Sequence, residues 1–192
     1  RDKNIALTVQ SFTEQAGRAL VNKAYQETGL RNFCLAGGVA LNCDMNARIW
    51  ELPFVENIFI QPSSDDSGTA IGGALEMANE MGENADFVMD HAYWGPQYSN
   101  SEIEVVLKEA KLNFDKVDNI EKLVAQELAR GKIVGWFQGR LEIGPRALGN
   151  RSILTHPGLP GMKDKVNIQV KHREVWRPFA PSILHEAGDE YF

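Results

Sequence analysis

The chain has 192 residues, 43% of them hydrophobic and 24% charged, with a net charge of −6 at pH 7. That is enough for one good core or two small ones, and neither Gly nor Pro is in excess. No apolar run reaches the roughly 18 residues of a membrane span, no signal peptide is expected, and two cysteines without CxxC spacing fit a reducing, cytoplasmic compartment.

The elements follow in chain order. Val9, Phe12, Ala16, Leu20 and Ala24 recur at helical spacing and predict an opening helix with one buried face. A strand over 33–36 runs into Gly37-Gly38, followed by a helix over about 41–50 and a strand over 58–60. The loop QPSSDDSG then leads into a helix of small residues, TAIGGALEMANEM. Strand, glycine turn, helix, strand, polar loop, helix is the alternation of an α/β fold. Residues 83–100 lose periodicity and read as a connector. Beyond it, Ile103, Val106, Leu107 and Ala110 predict a helix capped by Asn100 or Ser101. Ile120, Leu123, Val124 and Leu128 predict another, ending at Gly131. A buried strand over 133–137 delivers the chain to its basic part. Both termini read as cut, so the sequence is expected to be a segment of a longer protein.

Charge is unevenly spread. Residues 131–178 hold 9 Lys/Arg against 3 Asp/Glu, whereas residues 1–130 hold 11 against 20. A basic island in an acidic chain points to a small anionic ligand rather than nucleic acid, which would favour a broader basic face.

Three stretches carry candidate chemistry. LAGGVALN (35–42) places two glycines at a strand-to-helix junction, either for close approach of a ligand to backbone amides or for a tight turn. In QPSSDDSGTAIGGA (61–74), Asp65 and Asp66 follow a strand end, where a carboxylate can hold a hard cation or simply cap a helix; capping is the stronger reading. GWFQGRLEIGPRALGNRS (135–152) places Arg140, Arg146 and Arg151 singly among Gly, Pro and apolar residues, with Lys171, Arg173 and Arg177 after it. A solvated charged face would favour Lys and Glu at helical spacing, whereas arginine forks suit phosphate and carboxylate. Glu142 and Glu174 are placed to hold these arginines. If Arg146 opens a short helical turn after Pro145, backbone amides would join the same site. Trp136 and Trp176 are assigned to the core, with the wall of a ligand pocket as the alternative for either, and His156 and His172 to structural or exposed roles.

Together LAGGVALN, PSSDDSGTAIGGAL, GWFQGRLEIGPRALGNRS and KHREVWRPFAPSIL resemble the O-carbamoyltransferases of the nodulation and antibiotic-tailoring type over essentially the whole chain. The resemblance implies the end of an actin/Hsp70-like carbamoyltransferase domain (1–90), a linker (91–100), and the start of a YrdC-like carbamoyl-adenylate-forming domain (101–192), incomplete here. It implies that carbamoyl phosphate and ATP form carbamoyl-adenylate, whose carbamoyl group passes to the hydroxyl of a sugar or other small-molecule acceptor. By the same resemblance Arg140, Arg146 and Arg151 are the catalytic candidates. With Lys171, Arg173, Arg177, Gly37 and Gly38 they are also the ligand-binding candidates, and Asp66 helps to hold a divalent metal, Fe or Mg. A homo-oligomer is compatible with this reading; nucleic acid and membrane are not expected partners. The alternatives are a related hydrogenase-maturation or tRNA threonylcarbamoylation-type enzyme, or a non-catalytic nucleotide-binding scaffold.

Overall fold

The computed structural model describes residues 2–84, 86 and 88–191. Contacts divide the chain into two compact units, one running up to residue 92 and including 143–146, the other formed by 93–142 with 147 onward.

The first unit opens with helix α1, Asp2–Thr28, followed by strand β1, Asn32–Leu35, and helix α2, Cys43–Trp50. Strand β2, Asn57–Ile60, pairs with β1 in parallel, Phe33 opposite Ile58 and Leu35 opposite Ile60. Helix α3, Thr69–Glu80, closes the series. The core is Val21, Met45, Ile49 and Leu52, with Phe33, Leu35, Phe54, Val55 and Ile58 packed against it. Ile49 is 1% exposed, and burying such a side chain is worth about 1.5–3 kcal/mol. Tyr25 stacks on Phe54 with ring centroids 4.1 Å apart.

The opening helix is present, but its buried face is not the expected one. Gly17 and Val21 are buried, while Phe12 and Leu20 are exposed. The reason is close approach: a Cβ on Gly17 would stand 2.8 Å from Met45 Cγ and Sδ, so α2 lies against the helix at its smallest residue. The large apolar side chains are turned out of that contact.

The second unit begins with irregular chain and reaches helix α4, Asn100–Glu109, then helix α5, Ile120–Ala129. Ser99, rather than Asn100 or Ser101, caps α4 through a reciprocal capping box with Glu102. Gly131 follows α5 with φ 76° and donates its N–H to Leu128 O, as expected of a residue ending a helix. Strand β3, Val134–Phe137, pairs antiparallel with β4, Arg151–Leu154, Phe137 opposite Arg151. Strand β3 alternates half-buried and exposed positions instead of being buried throughout. Helix α6, Met162–Gln169, buries Met162, Val166 and Asn167, and a short helix α7, Gly188–Tyr191, ends the described chain. Strand β4 and α6 were not anticipated, although Met162 and Val166 four apart carry the helical signal of α6. Trp136 is half-buried, but Trp176 is 42% exposed and is not a core residue.

Candidate functional site

In the first unit, three segments meet at the carboxyl end of the parallel β1–β2 pair. Beyond β1 the chain turns at Gly37, with φ 92° and ψ 152°, a backbone that side chains rarely adopt, and enters a 3-10 turn over Gly38–Leu41. Asn42 ends this loop by accepting from Met45 N at 3.0 Å, which caps α2, and it exchanges two side-chain hydrogen bonds with Gln10 of α1. Beyond β2, Ser63 and Ser64 are buried. Asp65 then caps a 3-10 turn, accepting from Ser67 N at 3.2 Å and Ser67 Oγ at 2.5 Å. The capping carboxylate is thus Asp65, and the neighbouring Asp66 side chain is exposed.

The third segment, Ile143–Arg146, comes from far along the chain. Ile143 N donates to Ala92 O at 2.8 Å. Gly144 has φ 84° and sits so close to Pro62 that a Cβ would be 2.3 Å from Pro62 O. Arg146 Nη2 donates to Leu41 O at 3.2 Å across 105 residues of sequence. No helical turn begins at Arg146; the chain there is a succession of bends. The arrangement thus brings Arg146 to the Gly37-Gly38 loop, at the edge where open α/β sheets bind their ligands. Asn46 Oδ1 and Ser64 Oγ, on or beside these loops, are buried without a hydrogen-bond partner.

Arg140 and Arg151 belong to the second unit. Arg140 donates from Nε to Gly95 O at 3.0 Å and from Nη2 to Trp94 O at 3.3 Å, and its backbone bridges Gln97. Between the two arginines lies Glu142, whose side chain has no exposure at all. Its Oε1 accepts from the backbone N–H of Leu148 at 2.8 Å, Asn150 at 2.7 Å and Arg151 at 3.4 Å. Its Oε2 lies 3.5 Å from Arg151 Nε. Burial pushes this carboxyl upward, but hydrogen bonds from backbone amides, that of Asn150 foremost, outweigh it and hold the group below the usual carboxylate range.

The later cations also sit in the second unit. Arg173 donates from Nε to Asn167 Oδ1 at 2.7 Å and lies over the Phe179 ring, while Arg177 Nε pairs with Glu174 at 2.8 Å; Lys171 is exposed. Asn167, fully buried, also donates to Val175 O and Arg177 O, so it ties down the loop bearing both arginines. Sequence reasoning missed it, because a single Asn in a helix carries no signal without knowing what it faces. His156 is structural, its Nδ1 accepting from Gly158 N.

Among the described residues no three His, Cys, Asp or Glu side chains cluster as a metal site. Asp66 offers a single exposed carboxylate toward a cation. Two shallow clefts, one on α1 around Leu7 and Phe12 and one between Tyr98 and α4 around Val106, include none of the candidate residues. No helix among the described residues is long and apolar enough to cross a membrane.

Comparison with known proteins decides the family. Residues 1–75 match the carbamoyltransferase N-terminus family model, and residues 125–192 match that of the carbamoyltransferase C-terminus. The chain belongs to the carbamoyltransferase family. Nodulation protein NolO of Bradyrhizobium diazoefficiens is 39% identical over 99% of this chain and 35% of its own length. The 3'-hydroxymethylcephem-O-carbamoyltransferase of Streptomyces clavuligerus is 35% identical over 77% of this chain and 27% of its own length. An uncharacterised protein of Synechocystis is 44% identical over the whole chain and 33% of its own length. The chain therefore spans about a third of the length of the curated relatives it matches.

Proposed function

We propose that this chain is a segment of an O-carbamoyltransferase that holds the end of the acceptor domain and the start of the carbamoyl-donor domain. The first unit is read as part of an actin/Hsp70-like domain and the second as the start of a YrdC-like domain. Carbamoyl phosphate is hydrolysed to carbamate and phosphate, and a carbamate oxygen attacks the α-phosphorus of ATP to give carbamoyl-adenylate as pyrophosphate leaves. An acceptor hydroxyl then attacks the carbamoyl carbon, forming a new C–O bond as AMP leaves and the hydroxyl proton is lost. The acceptor is a hydroxyl-bearing small molecule of the sugar or natural-product class, in a cytoplasmic enzyme. The cephem-carbamoylating relative supports the hydroxyl as acceptor.

The observation that carries the reading is Arg146 at the carboxyl end of β1 and β2, held by Leu41 O at the end of the turn that Gly37 and Gly38 open. Polyanionic substrates repel one another, and a fixed guanidinium offsets that repulsion together with charge developing in the transition state. Arg151, Arg140, Lys171, Arg173 and Arg177 are read as the cations of the adenylate-forming side. Asp66 is read as one ligand of a divalent metal, Fe or Mg, whose other ligands come from outside these residues; the ion would supply Lewis-acid stabilisation of an oxyanion.

A charge-assisted hydrogen bond to phosphate is worth about 1.5–3 kcal/mol, so losing one weakens binding roughly tenfold to over a hundredfold. Calorimetric titration of the full-length protein with ATP and with carbamoyl phosphate, at fixed salt, tests this with Arg146→Ala, Arg151→Ala and the exposed control Lys122→Ala. Lysine in place of either arginine restores part of the loss, because it keeps the charge but not the fork. Binding of both ligands by both alanine variants as tightly as by the control would show the island to be structural.

A further inference from the structure

Glu142 is a fully buried carboxylate that the proposed chemistry does not use. A carboxylate away from water is unfavourable unless hydrogen bonds and counter-charge replace its hydration. Here the two oxygens find different replacements. Three backbone amides, from Leu148, Asn150 and Arg151, converge on Oε1, which requires the chain over 148–151 to curl around that atom. Oε2 is buried without a hydrogen-bond partner and faces Arg151 Nε at 3.5 Å. One side chain therefore holds both the backbone from which Arg151 projects and the guanidinium itself.

We infer that Glu142 is a positioning residue for anion binding. One oxygen sets the curl of residues 148–151 and the other orients the Arg151 fork, so that Arg151 binds phosphate only as well as Glu142 aims it. The inference rests on the reading of Arg151 as an anion-binding residue. Glutamine at 142 keeps one acceptor oxygen for the amides, but it brings an N–H₂ against Arg151 Nε–H in place of an anionic oxygen. A purely structural glutamate would be felt equally with or without Arg151, whereas a positioning one acts through it.

The test is a double-mutant cycle in the full-length protein: wild type, Glu142→Gln, Arg151→Ala and the double variant, each titrated with ATP and with carbamoyl phosphate. Glu142→Gln is expected to weaken, by roughly tenfold, the same ligand that Arg151→Ala weakens. In the Arg151→Ala background it is expected to add little. Independent addition of the two losses would show that Glu142 acts structurally and would overturn the inference. So would unchanged binding in Glu142→Gln when Arg151→Ala is weakened, which leaves the anion site itself standing. No loss in Arg151→Ala removes the anion-site reading of Arg151 and this inference with it. Should Glu142→Gln not fold, Glu142→Asp takes its place in the cycle. It keeps the charge but withdraws it by one methylene, and the same non-additivity is expected.

Discussion

Gly144 shows how a single position joins distant parts of the chain. Its φ of 84° and the 2.3 Å that would separate a Cβ from Pro62 O leave room for hydrogen only. Through it the 143–146 segment lies against the loop after β2 and presents Arg146 to Leu41. Gly144→Ala is therefore expected to cost about 1–2 kcal/mol from backbone conformation alone, with the clash added. Because backbone atoms form the obstacle, the segment must shift, and binding of ATP or carbamoyl phosphate should weaken along with stability. Urea unfolding and ligand titration of the full-length protein measure both. Unchanged values would mean that residues 143–146 do not pack on Pro62.

Helix α4 shows how local sequence makes an element self-sufficient. Its capping box is written in Ser99 and Glu102, and Glu104 pairs with Lys108 one turn on, at 2.6 Å, and with Lys116 at 2.5 Å. Hydrogen bonds from Lys108 and then Lys116 lower the Glu104 pKa to about 2. A depressed carboxyl pKa stabilises the fold above the unfolded value near 4.5 and ceases to do so as pH falls towards about 2. The stability difference between wild type and Glu104→Gln should accordingly be level above about pH 5 and shrink through the acid range. Both partners are largely solvated, so salt should reduce the difference at every pH. A difference that persists to pH 2 would mean that Glu104 acts through packing rather than charge.

Across the whole molecule the weak point is apolar coverage. Each unit holds a sheet of two strands, a size of marginal stability in water, and Leu7, Phe12 and Leu20 of α1 stand about 70% exposed. The relatives are about three times as long, and reacting groups need support accurate to fractions of an ångström. Expressed alone, these 192 residues are expected to bind a hydrophobic dye and to form no carbamoylated product from carbamoyl phosphate, ATP and acceptor. Transfer at the full-length rate by the isolated chain would overturn that expectation.

Sequence alone was sufficient wherever a signal is local. Hydrophobic spacing located α1, α4 and α5, the apolar runs located β1 and β2, and glycine-punctuated motifs with isolated arginines pointed to the carbamoyltransferase family that the comparisons show. Contacts between distant residues required the folded chain. Which face of α1 is buried depends on Gly17 meeting Met45, and a helix presents several faces of similar hydrophobicity. Whether Arg146 reaches Leu41 depends on a return of 105 residues, which no spacing rule encodes. Asp65 rather than Asp66 became the cap because only its oxygen reaches Ser67, and Glu142 became a hub because three amides converge on one buried atom. Periodicity records which residues prefer to leave water, while partner choice among buried polar groups follows from geometry that arises only once the backbone has closed around them.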